Sequence, residues 1–283
     1  MERFVLVTGT SRGIGRATAL RLAGHGFRVF GTVRTAEDAI RLERASDNAV
    51  QAVQLDLSDD ASIEEATIRL ENLGVQNLHG LVNVAAASGC AVPMEAVTRS
   101  DLDAQFAVTV SGTAVLTASM VPLLRAARGR VVNVGAGALS MPLLGTAFAA
   151  KHALEAMSDV LRIELAAVGI RVVVVEPGMT RWDDVEAQRH AYEQAMDQGV
   201  DRVRDSDQVR YRRAADVLKQ LQGRMLDRGA VADDVAAVIE RALTSRRPRT
   251  RYYCGVQPRL GALLSRALPA SVTDQVLRRL ARL

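Results

Sequence analysis

Short runs of aliphatic and β-branched residues alternate along this chain with longer segments whose apolar positions recur every three or four residues. The short runs are Phe4–Thr8, Arg28–Val33, Ala52–Asp56, His79–Asn83, Arg130–Val134, Ile170–Glu176 and Arg251–Gly255. Several are almost uninterruptedly apolar, the pattern of strands covered on both faces of a parallel sheet. Helical spacing is predicted over 15–25, 62–73, 102–125, 148–168 and 231–244, and Ser58-Asp59-Asp60 supplies N-cap chemistry for the second of these. Strands alternating with helices imply right-handed βαβ crossovers and a doubly wound α/β fold. After Gly178 the pattern changes. Residues 183–228 are polar, charged and helix-prone with no strand signal, as expected of a helical lid or substrate cap set into a single domain over 1–283. The tail, 258–283, carries leucines at helical spacing broken at Pro269. It reads as a docked C-terminal helix, with a helix for a membrane surface or a partner as the alternative.

Composition narrows the class. With 283 residues, 48% hydrophobic and 24% charged, the chain can bury a full core and is not disordered. Aromatics at 4% argue against a base-stacking surface, and a net charge of +4 is too small to indicate nucleic acid. The positive charge leans toward the end, with nine arginines from Arg246 to Arg282 against one acid, Asp274. That cluster forms either a solvated face or a contact for phosphate or a membrane surface. Two cysteines, Cys90 and Cys254, fit a reduced, cytoplasmic protein without a disulfide. No cleavable leader and no run approaching 18 apolar residues is found, so no membrane span is expected. No pair among the four histidines has metal-ligand spacing, and no metal site is expected.

The chemistry begins at Thr8-Gly9-Thr10-Ser11-Arg12-Gly13-Ile14-Gly15, which follows the first strand and opens the first helix. Glycines there allow a tight turn and close backbone approach to phosphate, and the helix N-terminus faces the anion. The Gly-x-x-x-Gly-x-Gly spacing resembles the short-chain dehydrogenase/reductase family. Further segments agree: Asp56-Leu57, Asn83, Lys151 and the turn Pro177-Gly178. Lys151-His152-Ala153-Leu154-Glu155-Ala156 followed by Gly169-Ile170-Arg171-Val172 resembles the retinol and hydroxysteroid dehydrogenase-like branch. The resemblance implies a Rossmann-type sheet in the order 3-2-1-4-5-6-7. It also implies a nicotinamide dinucleotide held by Gly9, Ser11, Arg12, Gly13, Ile14, Gly15, Arg34, Asp56, Leu57, Asn83, Lys151, Pro177, Gly178 and Thr180. The second strand ends Thr32-Val33-Arg34 without the acid that an NAD site uses for the ribose hydroxyl. Arg34 and Arg12 can instead pair a 2′-phosphate, which favours NADP(H) over NAD(H).

The chain departs from the family at the other half of the site. The family's proton-transferring tyrosine, four residues before the lysine, falls on Ala147, and its serine falls on Ala136 in Gly135-Ala136-Gly137-Ala138. The supporting asparagine falls on Thr109. Asn83-Val84-Ala85-Ala86 stands for the usual Asn-Asn-Ala-Gly, and the threonine four residues beyond the Pro-Gly turn is Trp182.

Three readings follow from this half-site. The first is non-redox chemistry on a hydrophobic small molecule (cyclisation, isomerisation or dehydration), with NADP(H) as a structural or spectator ligand. Its acid–base candidates are Ser140, Thr146, Thr109, Asp183, Asp184, His190 and Tyr192. The second is an NADP(H)-dependent oxidoreductase with a different proton donor. The third is a non-catalytic binding or partner subunit. The family's habit implies a homodimer or homotetramer through 102–125 and 148–168.

Overall fold

A computed structural model describes residues 2–87, 91–137 and 140–281. The strands in chain order are β1 (Phe4–Val7), β2 (Arg28–Val33), β3 (Val50–Gln54), β4 (Gly80–Asn83), β5 (Arg130–Val134), β6 (Arg171–Pro177), β7 (Thr180–Arg181), β8 (Ala230–Val231) and β9 (Arg251–Cys254). Seven form one sheet in the order β3-β2-β1-β4-β5-β6-β9, with every neighbouring pair parallel. The two-residue strands β7 and β8 pair separately. This is the expected Rossmann-type order, the seventh sheet strand being β9.

Between the strands run α1 (Gly13–Gly24), α2 (Ala36–Ala45), α3 (Asp60–Asn72), α4 (Arg99–Phe106), α5 (Thr113–Ala127), α6 (Gly145–Ala166), α7 (Val185–Val200), α8 (Asp205–Asp227), α9 (Ala232–Thr244), α10 (Val256–Ala267) and α11 (Ala270–Ala281). Alternation along the strands sends side chains to two apolar layers. On one face Val5, Val29, Val132 and Val173 pack with Leu22 of α1 and Val235 and Ile239 of α9. On the other, Leu6, Phe30, Leu81 and Val131 pack with Ile63 of α3 and Leu116, Met120 and Leu124 of α5. The uninterrupted apolar runs therefore have their physical cause in a sheet covered on both sides.

Two expectations change. The predicted helix over 102–125 is α4 and α5 joined by a π-helical segment, Ala107–Gly112. That wider turn brings Gly112 so close to the loop after β3 that a Cβ there would lie 1.8 Å from the Leu57 carbonyl oxygen. The continuous helix Arg99–Ala127 is long and apolar enough by length and composition to cross a bilayer. Its Leu116, Met120 and Leu124 are fully buried against the sheet. The tail is two helices, α10 and α11, separated at Leu268-Pro269, because proline has no amide hydrogen to continue the first.

Residues 183–228 form α7 and α8. Met196 and Val200 of α7 and Ala215 and Leu218 of α8 make a third cluster with Ala91 and Leu143. The helix pair is thereby anchored over the β5–α6 connection.

Candidate functional site

The site lies at the carboxyl ends of β1, β4, β5 and β6, on both sides of the point where the sheet order reverses. Its floor is the glycine turn between β1 and α1. Gly9 and Gly13 have φ of +70° and +57°, conformations that disfavour a side chain. Gly15 lets α1 close onto β1, since a Cβ there would meet the Gly9 carbonyl oxygen at 2.1 Å. Hydrogen bonds fix the turn. The Thr10 hydroxyl donates to the Thr32 carbonyl at 3.0 Å, and the Gly9 amide donates to the Thr32 hydroxyl at 3.2 Å. The Thr8 hydroxyl accepts the Val84 and Ala85 amides, both at 3.0 Å, so the turn is tied to the loop after β4. Ser11 is partly exposed, and Ile14 packs against the core beneath the turn.

The adenosine side is open. Arg34 is exposed at the end of β2. Its charge adds to hydrogen bonds from the Ser58 hydroxyl and amide (2.6 and 2.9 Å) that hold the Asp56 carboxyl below the usual carboxylate range. Leu57 is buried beside Gly112. Asn83, expected among the cofactor residues, is turned inward instead. Its side-chain amide donates to Asn133 Oδ1 at 2.8 Å and to the Thr117 hydroxyl at 3.2 Å, binding β4 to β5 and α5.

The substrate side is apolar and tightly held. Lys151, on α6, is partly buried, and its Nζ donates to the Val134 carbonyl at the end of β5 at 2.6 Å. Burial pushes its pKa down to about 8, against an upward pull from Glu155. Ala147 lies one helical turn before Lys151, so no hydroxyl stands at the tyrosine position. Ala136 follows β5 and is partly buried, and Ala138 is outside the described residues. Pro177 ends β6, where Arg251 of β9 is held between Glu176 and Glu155, at 2.7 Å from the latter. Glu176 thus secures the last strand. A Cβ on Gly178 would meet Pro258 at 3.2 Å, so this turn is covered by the start of α10.

Trp182 decides the geometry. Its indole lies on the glycine turn, where a Cβ on Gly13 would come 3.0 Å from Cδ1 and Nε1. The Arg12 guanidinium stacks over the ring with its carbon 4.9 Å from the centroid. The segment is pinned on both sides. Gln188, buried on α7, accepts the Trp182 amide at 3.0 Å and donates to the Thr180 carbonyl at 2.9 Å. Asp183 pairs Arg16 of α1 at 3.2 Å.

The acid–base candidates are scattered. Asp184 caps α7 by accepting the Ala187 amide, while Thr180, expected among the cofactor residues, donates its hydroxyl to the Gly178 carbonyl. Ser140 and His190 are exposed. Thr146 is buried at the start of α6, and Thr109 lies buried in the π-helical segment, where it accepts the Ala87 amide at 3.4 Å. Tyr192 is partly buried, and burial raises its pKa. Cys254 is buried and free, while Cys90 lies outside the described residues. Among the described residues no cluster of three metal-ligating side chains occurs. Sequence reading missed Gln188, Arg16, Glu155 and Arg251, whose partners are remote in the chain and leave no local pattern.

Known proteins place this geometry. A family model described as short chain dehydrogenase matches residues 3–193. The chain belongs to the short-chain dehydrogenase/reductase family. It is 34% identical to human retinol dehydrogenase 5 over 280 residues, 97% of this chain and 87% of that protein. It is 31% identical to rat 17-beta-hydroxysteroid dehydrogenase type 6 over 280 residues, covering 98% and 88%. Among solved structures, a short-chain dehydrogenase from Streptomyces avermitilis superposes with a TM-score of 0.74 at 26% identity, covering 98% of this chain and 97% of that one. A Burkholderia cenocepacia short chain dehydrogenase in complex with NADP shares the fold, with a TM-score of 0.73 at 20% identity and 98% coverage of both chains.

Proposed function

We propose that the chain is a nicotinamide-dependent oxidoreductase, using NADP(H) in preference to NAD(H), for a hydrophobic alcohol or carbonyl compound. In this reading Lys151 performs the proton transfer that the family assigns to tyrosine. The observation that carries the proposal is Lys151 itself: a partly buried ammonium whose one hydrogen bond among the described residues goes to Val134, with a pKa near 8.

The residues fit a dinucleotide at the adenosine end. Gly9 and Gly13 form the turn, α1 presents its N-terminus, and exposed Arg34 suits a 2′-phosphate. At the pyrophosphate crossing the Trp182 indole covers Gly13, so a dinucleotide and the indole in this position exclude each other. Binding therefore includes withdrawal of Trp182 from the turn.

A bound dinucleotide supplies or receives the hydride. The Lys151 ammonium donates a proton to the substrate oxygen as a carbonyl becomes an alcohol, and the neutral amine takes the proton back in the reverse direction. A pKa near 8 leaves both forms accessible around neutral pH. The Val134 carbonyl orients the amine. Ala136, Ala147 and the partly buried Met141 and Leu144 give the substrate side its apolar character. Retinol and hydroxysteroid dehydrogenases among the relatives support an extended apolar substrate. Exposed Val115 of α5 and Val160 and Ile163 of α6 support a homo-oligomer through these helices.

The test is oxidation of NADPH by the purified protein with a retinoid aldehyde and a steroid ketone. Slow turnover is expected, raised about a hundredfold in Ala147→Tyr, the low end of what a positioned acid contributes. No oxidation by either protein with any of these compounds would overturn the reading. Trp182 on the glycine turn favours a second reading, cyclisation, isomerisation or dehydration with NADP(H) as a spectator. Conversion of substrate with NADPH left unoxidised would identify it.

A further inference from the structure

Arg251, on β9, lies between two carboxylates. Glu176 of β6 pairs it from one side, and Glu155 of α6 pairs it at 2.7 Å from the other. Glu176 is 1% exposed, and its one carboxylate suffices to balance one guanidinium. The cluster therefore carries one negative charge more than its own cation offsets. Such a charge is costly among covered groups unless a further cation stands close. Securing the last strand accounts for Glu176 and leaves the second carboxylate unexplained.

The further cation is Lys151. Glu155 lies four residues after it on α6, one turn along the same face. The two also meet at the end of β5. Lys151 Nζ donates to the Val134 carbonyl at 2.6 Å, and a Cβ on the next residue, Gly135, would lie 3.2 Å from Glu155 Oε1 and 3.4 Å from Glu176 Cγ. The absence of a side chain at Gly135 thus leaves room for both carboxylates beside the lysine's anchor. Glu155 gives Oε2 to Arg251, while its Oε1 is covered and makes no hydrogen bond among the described residues. Glu155 is also the charged group that pulls the Lys151 pKa up against burial. With Lys151 protonated, the charges of Lys151, Glu155, Arg251 and Glu176 cancel. With the amine neutral, a covered negative charge is left over.

We propose that Glu155 is a positioning residue for Lys151: its carboxylate, shared with Arg251, sets how tightly the lysine holds its proton. The functional meaning of this inference rests on the reading of Lys151 as the proton-transferring group. Glu155 favours the ammonium form, and Arg251 weakens that effect by drawing the same carboxylate toward β9. The last strand of the sheet thereby tunes the chemistry at the end of β5. An ion pair that only tied strand to helix would leave the titration of the lysine unaltered.

The chain has two lysines, Lys151 and Lys219, so labelling the lysine ε carbon with carbon-13 gives two resonances that report the two amines. The experiment follows them by NMR through a pH titration of the full chain without cofactor or substrate. Lys219, paired with Asp197, is the internal control and should titrate alike in every variant. Wild-type Lys151 should titrate at about 8. In Glu155→Gln, where Arg251 keeps Glu176, its midpoint should fall by about one pH unit. Arg251→Gln combined with Glu176→Gln removes one charge of each sign and leaves Glu155 to Lys151 alone, so the midpoint should rise by about one unit. A Lys151 midpoint unchanged or raised in Glu155→Gln, or displaced the same way in both variants, would overturn the proposal. The titration is read apart from turnover. Midpoints that move in opposite directions uphold the role of Glu155 even where NADPH is never oxidised, a result that would contradict the oxidoreductase reading alone.

Discussion

Replacing Trp182 with alanine should tighten NADPH binding. The indole sits on Gly13 and under Arg12, where the turn would otherwise meet a pyrophosphate. A fully covered indole buries roughly 200 Å². Trp182 is partly exposed, so about half of that, at about 25 cal/mol per Å², contributes about 2.5 kcal/mol to the covered state. The Arg12 contact adds about 0.5 kcal/mol. Part of this is recovered when the indole settles elsewhere, leaving about 2 kcal/mol that binding must overcome. Removing the side chain should lower the NADPH dissociation constant about thirtyfold. Calorimetric titration of both proteins reads this directly. Trp182 is the chain's one tryptophan, so wild-type fluorescence should also shift on binding. An affinity in Trp182→Ala equal to or weaker than wild type would refute the reasoning, because the indole would then be neutral toward the dinucleotide or part of its site.

Three further outcomes are expected. Arg34→Ala should weaken NADPH by about tenfold to a hundredfold while changing NADH little, the loss of one charge-assisted phosphate contact, as read by the same titration. Lys151→Met should change how stability depends on pH. The native lysine has its pKa lowered to about 8, so the unfolded chain holds more protons between pH 8 and the ordinary lysine range, and wild-type stability should rise through that window by up to about 3 kcal/mol. The methionine variant should lack the rise in urea melts, and a rise persisting there would assign it to another group. Gly112→Ala should destabilise the fold by about 3 kcal/mol, because its Cβ would lie 1.8 Å from a backbone oxygen, and thermal unfolding reads the shift.

Much of the sheet was legible because a parallel strand covered on both faces leaves a continuous apolar run, as Val172–Val175 does. Helix α2 was missed because only Leu42 is buried on it. Its signals were the Thr35 cap, which accepts the Asp38 amide, and the acids Glu37 and Asp38 in the first turn. The glycine turn was legible because close approach admits few residue types, and Gly15 against Gly9 shows why. The absence of hydroxyls at Ala136 and Ala147 was equally plain. The position of Trp182 over Gly13 was not, since it depends on Gln188 and on the Arg16–Asp183 pair, contacts set by tertiary packing rather than by spacing. The inward turn of Asn83 likewise follows from Asn133 and Thr117, which lie on other elements.

The central claim is that Lys151 moves the proton in a hydride-transfer reaction, and single-turnover kinetics with bound, deuterium-labelled NADPH and a retinoid aldehyde test it most directly. The account predicts deuterium on the carbinol carbon of the alcohol, one product per NADPH oxidised. It also predicts a reduction rate that falls as pH rises through about 8 and loses that dependence in Lys151→Met. Bound NADPH that stays unoxidised, or a Lys151→Met variant with the wild-type rate and pH profile, would contradict it.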